Sequence, residues 1–564
     1  MRFRKASAAA ALLGVLAFAP GCKDFFDVNT SPLNPSSATN GQILPVAQVG
    51  IFTYLGFNIQ GFGQPSATLV GQLTNTRDIG AYRSDPNPMI NAYNGIFNDV
   101  LANNEIIIRQ ATANEEWGYL GVAQIQKAYV YSQLVDAYGD IPYSQALQGA
   151  SQLNPRFDAD VDIYNGNEAL GIQSLFSLIN EGIGNLSKPG ASLVAGGDIV
   201  YQGNLDNWKR FGRSLKLKLF NQMRKTNRPG LADSVQRLLN QPLLQSTLGS
   251  NFQLKFGLQT APENRHIGFQ SDYVNVGREN TVHPSLLSLM TNGTTDFVNA
   301  ENFPFELDPR ANYYFYNQSA TPTGDNTLNE RTVTGMPGAF VTKPLGGNGA
   351  STIANNQTLP GLYPYAGRYN NAPSIVNENS APGSGTQRLL TYFTQKFTEA
   401  ELQLTVLNNP TAADAAYREG VLAAFEEVRR IATGSEFAGA GVPVLGPAPA
   451  SILDKVTNAT STEDKLRVIM EQKSIASFGM GLDVYTDFRR THYPRVAVPS
   501  GSLIPSYYQD GLFDDNLSNT IGQGLYPSKF FYPVQDLTAN LNPQAPKRNL
   551  LPGEPGYKRI FWDL

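Results

Sequence analysis

Between Asn94 and Lys225 the apolar residues recur every three or four positions. That period belongs to helices with a buried face and does not fit alternating strands. Phe97, Val100, Leu101, Ile107, Ile108 and Ala111 follow it, with Asn104 interrupting the face. Trp117, Leu120, Ala128, Tyr131, Val135 and Tyr138 follow it next, with Gln124 and Gln133 as local interruptions. The short stretch "TANE" separates the two runs, so they are predicted to pair as an antiparallel hairpin. Gly139 can adopt positive φ at the helix end, and Pro142 forbids continuation. Two more runs follow, through Ile172, Leu175, Ile179, Ile183 and Leu186, then Trp208, Phe211, Leu215, Leu219 and Met223. Asp206 is the expected N-cap of the last, and Trp208 and Phe211 are expected core. Helical texture returns at Arg388–Leu407, Ala412–Ala432 and Ser461–Met480.

Helices in successive pairs describe an array that adds core by stacking units. "WGYLG" (Trp117 to Gly121) opens like a tetratricopeptide unit, but Gln124 and Gln133 stand where that repeat has a tyrosine and a small residue. The expected fold is therefore all-α dominated: a degenerate helical array carrying long irregular loop insertions. From about Thr260 to Gly385 the texture changes to Gly, Asn, Pro and Thr, with frequent aromatics. An irregular stretch of that length in a folded chain points to function.

Cys22 is the single cysteine among 564 residues, so no internal disulfide exists. It follows Arg2, Arg4 and Lys5 and a small-apolar run from Ala6 to Ala19, the pattern of a secretory signal. The run is shorter than the roughly 20 residues a spanning helix needs. Pro20 disfavours cleavage after Ala19, which leaves the Gly21–Cys22 bond. That site resembles a bacterial lipobox, in which the cysteine is diacylated and becomes the new N-terminus. A signal peptide that merely contains a cysteine is the alternative. Removing the leader moves the formal charge from −4 to −7. A mildly acidic body without a basic run argues against nucleic acid and anionic membrane surfaces as partners.

Several blocks resemble one family. "AYVYSQLVDAYGDIPYSQA" (Ala128 to Ala146) is similar to a helix-and-turn signature of the SusD/RagB surface lipoproteins. "GDIVYQGNLDNWKRFGRSLKLKL" (Gly197 to Leu219) resembles a second, with Asn204 where Asp is usual. "LDPR", "MEQKSIASFGMGLDVYTDFRR", "FFYPVQDLTANLN" and the terminal "FWD" resemble later blocks in consistent order. The resemblance implies a tetratricopeptide-like helical scaffold in a lipid-anchored outer-membrane protein that captures oligosaccharide or oligopeptide for a SusC-type TonB-dependent barrel. The expected layout is a signal peptide at 1–21, a lipidated tether at 22–45 and one domain at 46–564. Within it, scaffold covers about 46–259 and 386–490, the insertion about 260–385, and a loop-rich tail 491–564.

Catalytic and cofactor motifs are missing: the sequence has no HExxH, no GxSxG and no Walker loop. His266, His283 and His492 lack the spacing of a metal site. "DADVD" (Asp158 to Asp162) starts like a calcium loop, but Ile163 and Ala169 occupy its glycine and glutamate positions, so it reads as a solvated acidic loop. No catalytic residue, metal or cofactor is expected, and a surface glycan hydrolase is the alternative function. The ligand pocket is expected where the insertion meets "RDIGAYRSD". Arg77, Tyr82 and Arg83 supply cations and a ring there, and Tyr313, Tyr314, Tyr316, Tyr363, Tyr365 and Tyr369 are the expected stacking faces.

Overall fold

The computed structural model describes residues 38–75, 89–246, 249–275, 278, 280–290, 307–318, 331–332, 341–342, 357–494, 528–551 and 553–564. The leader and Cys22 lie outside them. Helix α1 (Asn40–Tyr54) begins within the stretch expected as tether. Gln42 Oε1 accepts the Thr39 N–H at 2.9 Å, satisfying a helix-start donor, and Leu44 is buried. After α2 (Gly63–Leu69), α3 (Ile90–Gly95) runs through a π-helical turn (Ile96–Leu101) into α4 (Ala102–Ala113). α5 (Trp117–Tyr138) folds back on α4 as the hairpin predicts.

α5 is buried on nearly every side, where the sequence pointed to one apolar face. Its interrupting glutamines are core residues with partners: Gln124 Oε1 accepts the Asn185 amide at 2.7 Å. The helix ends at Gly139, whose φ is +81°. α6 (Asp160–Asn165), α7 (Leu175–Asn185), α8 (Leu205–Gln222) and α9 (Leu231–Leu239) follow. α5 and α7 meet backbone to backbone. A Cβ on Gly121 would stand 2.6 Å from the Gly182 carbonyl oxygen, and one on Gly182 would stand 2.9 Å from that of Gly121. α8 is capped by Asn204, which accepts the Asn207 N–H at 3.1 Å; Asp206 instead lies in the first turn beside Lys209.

The array continues as α7 packs on α8, and α8 on α10 (Tyr392–Thr405). α10 packs on α11 (Pro410–Ala432) and α12 (Thr462–Ala476). α13 (Gly481–Thr491) returns to α2, and α14 (Val534–Ala539) lies in the tail. Trp208 and Phe211 are fully buried, as expected.

The described strands are short: β1 (Leu73–Asn75), β2 (Ile141–Pro142), β3 (Phe157–Asp158), β4 (Phe252–Lys255) and β5 (Asn280–Val282), then β6 (Phe315–Asn317), β7 (Arg331–Thr332), β8 (Val341–Thr342), β9 (Thr358–Pro360) and β10 (Thr386–Leu390). All pair antiparallel, as β1–β5, β2–β3, β4–β10, β6–β9 and β7–β8. β4 and β10 clasp the two ends of the insertion, with Thr386 opposite Lys255. Arg388, expected to open a helix, is therefore in a strand: the ladder to β4 overrides local preference, and α10 starts after Thr391.

Two apolar clusters form the interior, one around α5 and α8 and one around the insertion, α11 and α12. Buried charges tie the array across its turns. Glu401 of α10 accepts Arg224 Nε at 2.6 Å and Arg490 Nη2 at 2.8 Å. Arg490 also holds Asp487, which pairs with Lys473 at 2.8 Å. Burial alone would raise the Glu401 carboxyl, but the Arg490 and Arg224 guanidiniums hold it far below the usual range.

The acidic loop reading of "DADVD" is corrected. Asp158 and Asp160 are buried. Asp158 pairs with Arg156 at 2.6 Å. Asp160 accepts the Phe561 N–H at 2.8 Å and Lys558 at 3.1 Å, so it latches the terminal segment. Trp562 follows by donating to Asp136 of α5 at 3.2 Å.

Candidate ligand-binding site

The insertion is built as a knot of short strands and turns. β6 pairs with β9, and Thr281 of β5 donates to the Thr358 carbonyl of β9 at 3.0 Å. β5 in turn pairs with β1, placing Asn75 opposite Asn280. The chain thus enters residues 76–88 from a strand laid against the insertion. Arg77, Tyr82 and Arg83 themselves lie outside the described residues.

Amides satisfy the irregular backbone here. Asn370 Oδ1 accepts the Asn317 N–H at 3.1 Å, and its Nδ2 donates to Asn312 at 3.1 Å. Gln318 donates to the Gln357 carbonyl at 3.1 Å and accepts the Val376 N–H at 3.3 Å. His266 and His283 each use Nδ1 to accept a backbone N–H two residues on. Burial lowers both imidazoles to about 3, so they are neutral.

The predicted stacking tyrosines are placed differently from a surface platform. Tyr314 lies between Tyr363 and Phe478, with ring centroids 4.8 and 5.3 Å away and planes within 21°. Tyr365 packs on His266 at 5.0 Å. The Tyr316 hydroxyl donates toward the Ala372 and Ser374 carbonyls, 3.0 Å from each, while Arg368 covers its ring. Tyr313 donates to the Pro443 carbonyl at 2.7 Å. All five are buried, so in this structure their faces hold loops onto helices and are closed to a ligand from solvent. Tyr369, half-buried against Tyr313 at 4.8 Å, keeps a partly open ring. Arg310 of the "LDPR" block is buried and bidentate on Asp308.

A second concavity went unread in the sequence. A cleft of about 420 Å³ opens between the π-helical turn, the segment from β2 to β3, and α14. Tyr93 and Phe97 form an aromatic wall, with ring centroids 5.0 Å apart. Asn94 and Asn98 bring amides to the same side, and Asp536 brings a carboxylate from the tail. The tail is fixed there because Asn540 donates to the Pro155 carbonyl at 2.8 Å and the Leu541 N–H donates to Asn154 at 2.7 Å. Tyr93, Asn94, Phe97 and Asn98 are a paired aromatic-and-amide stripe one turn apart, which could have flagged the cleft.

The scaffold and both sites can now be set against known proteins. Residues 32–507 match the SusD-like family model described as starch-binding and associating with outer membrane. This chain belongs to the SusD-like family. No curated protein sequence matches it. Among solved structures, a SusD homologue from Bacteroides uniformis aligns with a TM-score of 0.61 at 19% identity, covering 91% of this chain and 98% of its own. A chitin-binding SusD homologue from Flavobacterium johnsoniae aligns with a TM-score of 0.60 at 16% identity, covering 93% and 97%. A SusD/RagB family protein from Bacteroides thetaiotaomicron gives 0.59 at 20%, covering 90% and 95%. The SusD-like scaffold is thus the helical fold expected from periodicity. Among the described residues no helix is long and apolar enough to cross a membrane.

Proposed function

We propose that this protein is a surface lipoprotein that captures glycan or peptide nutrients and delivers them, unaltered, to a SusC-type TonB-dependent barrel. The family match over residues 32–507 carries the reading. Chitin-binding homologues with this fold support a saccharide as the first ligand class to test. Acyl chains on Cys22 hold it in the outer membrane, facing outward, because several chains on one residue anchor more firmly than one. Ligand contact on the insertion side falls to Tyr369, and the sequence adds Arg77, Tyr82 and Arg83 as candidates.

The test is incubation of the purified chain with glycans and oligopeptides. Retention without product supports capture, whereas release of shorter products supports surface hydrolysis. Cys22→Ala is expected to leave the membrane fraction or to stall as precursor; normal maturation and membrane retention would refute the anchor. Co-purification with a TonB-dependent barrel from the same cells tests delivery.

A further inference from the structure

We infer that the cleft between the π-helical turn and the C-terminal tail is a second ligand site, built for a neutral saccharide unit and closed to acidic ones. The inference rests on the capture reading and adds a place and a charge preference to it.

The geometry points there in four ways. The volume, about 420 Å³, lies in the range of sites that enclose small molecules. The wall offers both halves of a sugar's chemistry: Phe97 is only partly buried, so the open part of its ring can meet the apolar C–H side of a sugar. Asp536 can accept hydroxyl protons, and the Asn94 and Asn98 side chains make no hydrogen bond to another described residue. The backbone carrying Phe97 and Asn98 is π-helical, a departure from α geometry that recurs at functional sites.

The charge preference follows from what lines the cleft. Among the described residues that line it there is one carboxylate and no Lys, Arg or His. Burial raises the Asp536 carboxyl, and a hydrogen bond from the Tyr93 hydroxyl partly offsets this. A uronate would bring a second carboxylate to this wall with no cation to balance the pair. A neutral ring instead supplies O–H donors to the acceptor already there. A peptide carboxyl terminus meets the same repulsion.

The test uses the chain from residue 23 onward, which has no cysteine of its own. Leu153, exposed on the rim of the cleft, is replaced (Leu153→Cys) and labelled with an environment-sensitive dye. Maltotriose, chitotriose, trigalacturonate and triglycine are titrated to about 10 mM, tenfold above a millimolar Kd. A saturable dye response to at least one neutral trisaccharide is expected, with trigalacturonate and triglycine silent. Phe97→Ala should weaken the response roughly tenfold, equivalent to about 1.4 kcal/mol. Asn98→Leu, at an exposed position, should weaken it without moving the melting temperature. Asp536→Asn should admit trigalacturonate. Silence with both neutral sugars, an equal response to trigalacturonate in the parent chain, or indifference to both Phe97→Ala and Asn98→Leu overturns the site. Calorimetry on the unlabelled chain separates the two readings. Heat with a silent dye refutes the cleft and keeps capture, whereas no heat with any glycan or peptide refutes both.

Discussion

The helical array fixes its turns with buried full charges, whereas the insertion knots its loops largely with neutral amides, hydroxyls and imidazoles. Glu401 ties Arg224 after α8 to Arg490 of α13, and each partner comes from a different turn of the array. Asn370 and Gln318 instead satisfy backbone groups of neighbouring loops, and His266 and His283 cap short segments. The insertion's described ion pairs are Glu263–Arg265 and Asp308–Arg310, and the second sits where the insertion meets α12, through Gln472. The difference reflects what each part must hold. Helices satisfy their own backbone, so their side chains can be spent on setting one rod against another. Loops leave backbone donors and acceptors unpaired, and short polar side chains complete them.

The contrast can be broken or sharpened by four measurements. The largest effect is expected from Glu401→Ala, which strands Arg490 without its main partner in the interior. The cost should be about 3–5 kcal/mol in urea unfolding, and a loss under 1 kcal/mol would show that the network does not hold the array. Asp136 comes next. Burial raises its carboxyl to about 6, despite Lys218 and Arg489. Its favourable contribution is full below the unfolded value near 4 and is lost as pH rises through about 6, roughly 3 kcal/mol in all. Asp136→Asn should flatten that part of the melting curve between pH 4 and pH 8, read as the variant-minus-parent difference.

The insertion should respond to acid with the opposite sign. His266 and His283 have folded values below their unfolded 6.5. Their contribution is full above about 6.5 and is lost as pH falls, about 2 kcal/mol each by pH 5. Hydrogen exchange near β5 and β6 should rise at pH 5 while that of α5 does not; uniform loosening of both would erase the comparison. The smallest effect is expected at Tyr369, whose half-buried ring leaves the fold within about 1 kcal/mol when replaced by alanine. A larger fall in melting temperature would move Tyr369 into the core with its neighbours.

The array was legible because helical period survives tertiary context: α4, α5, α7 and α8 follow their apolar runs. Its central burial was not, since Gln124 and Gln133 look like breaks in a face until Asn185 partners the first and Lys218 and Asp483 the second. Arg388 read as helix because its strand partner, Gln253, lies far back in the chain. The tyrosines illustrate a different limit. Between Gly and Asn residues they show no period, and a ring with a hydroxyl suits a wet platform or a dry core equally well. Only the chain path decided, by putting Phe478 against one face of Tyr314 and Tyr363 against the other. The cleft was hidden because Phe97 fits the apolar period and α14 reaches it from the far end of the sequence.

The β4–β10 clasp has a consequence for how such a chain can diversify. With Lys255 held opposite Thr386, everything between them is a closed loop whose ends do not depend on its contents. The entropy of closing a loop grows only logarithmically with length, so doubling it costs about 0.6 kcal/mol. Segments between the clasped ends that carry none of the buried rings or the Asp308–Arg310 pair can therefore change length while α8 and α10 stay in contact. The protein carries a fixed frame and a replaceable cassette, and a lineage can try new recognition loops without refounding the fold.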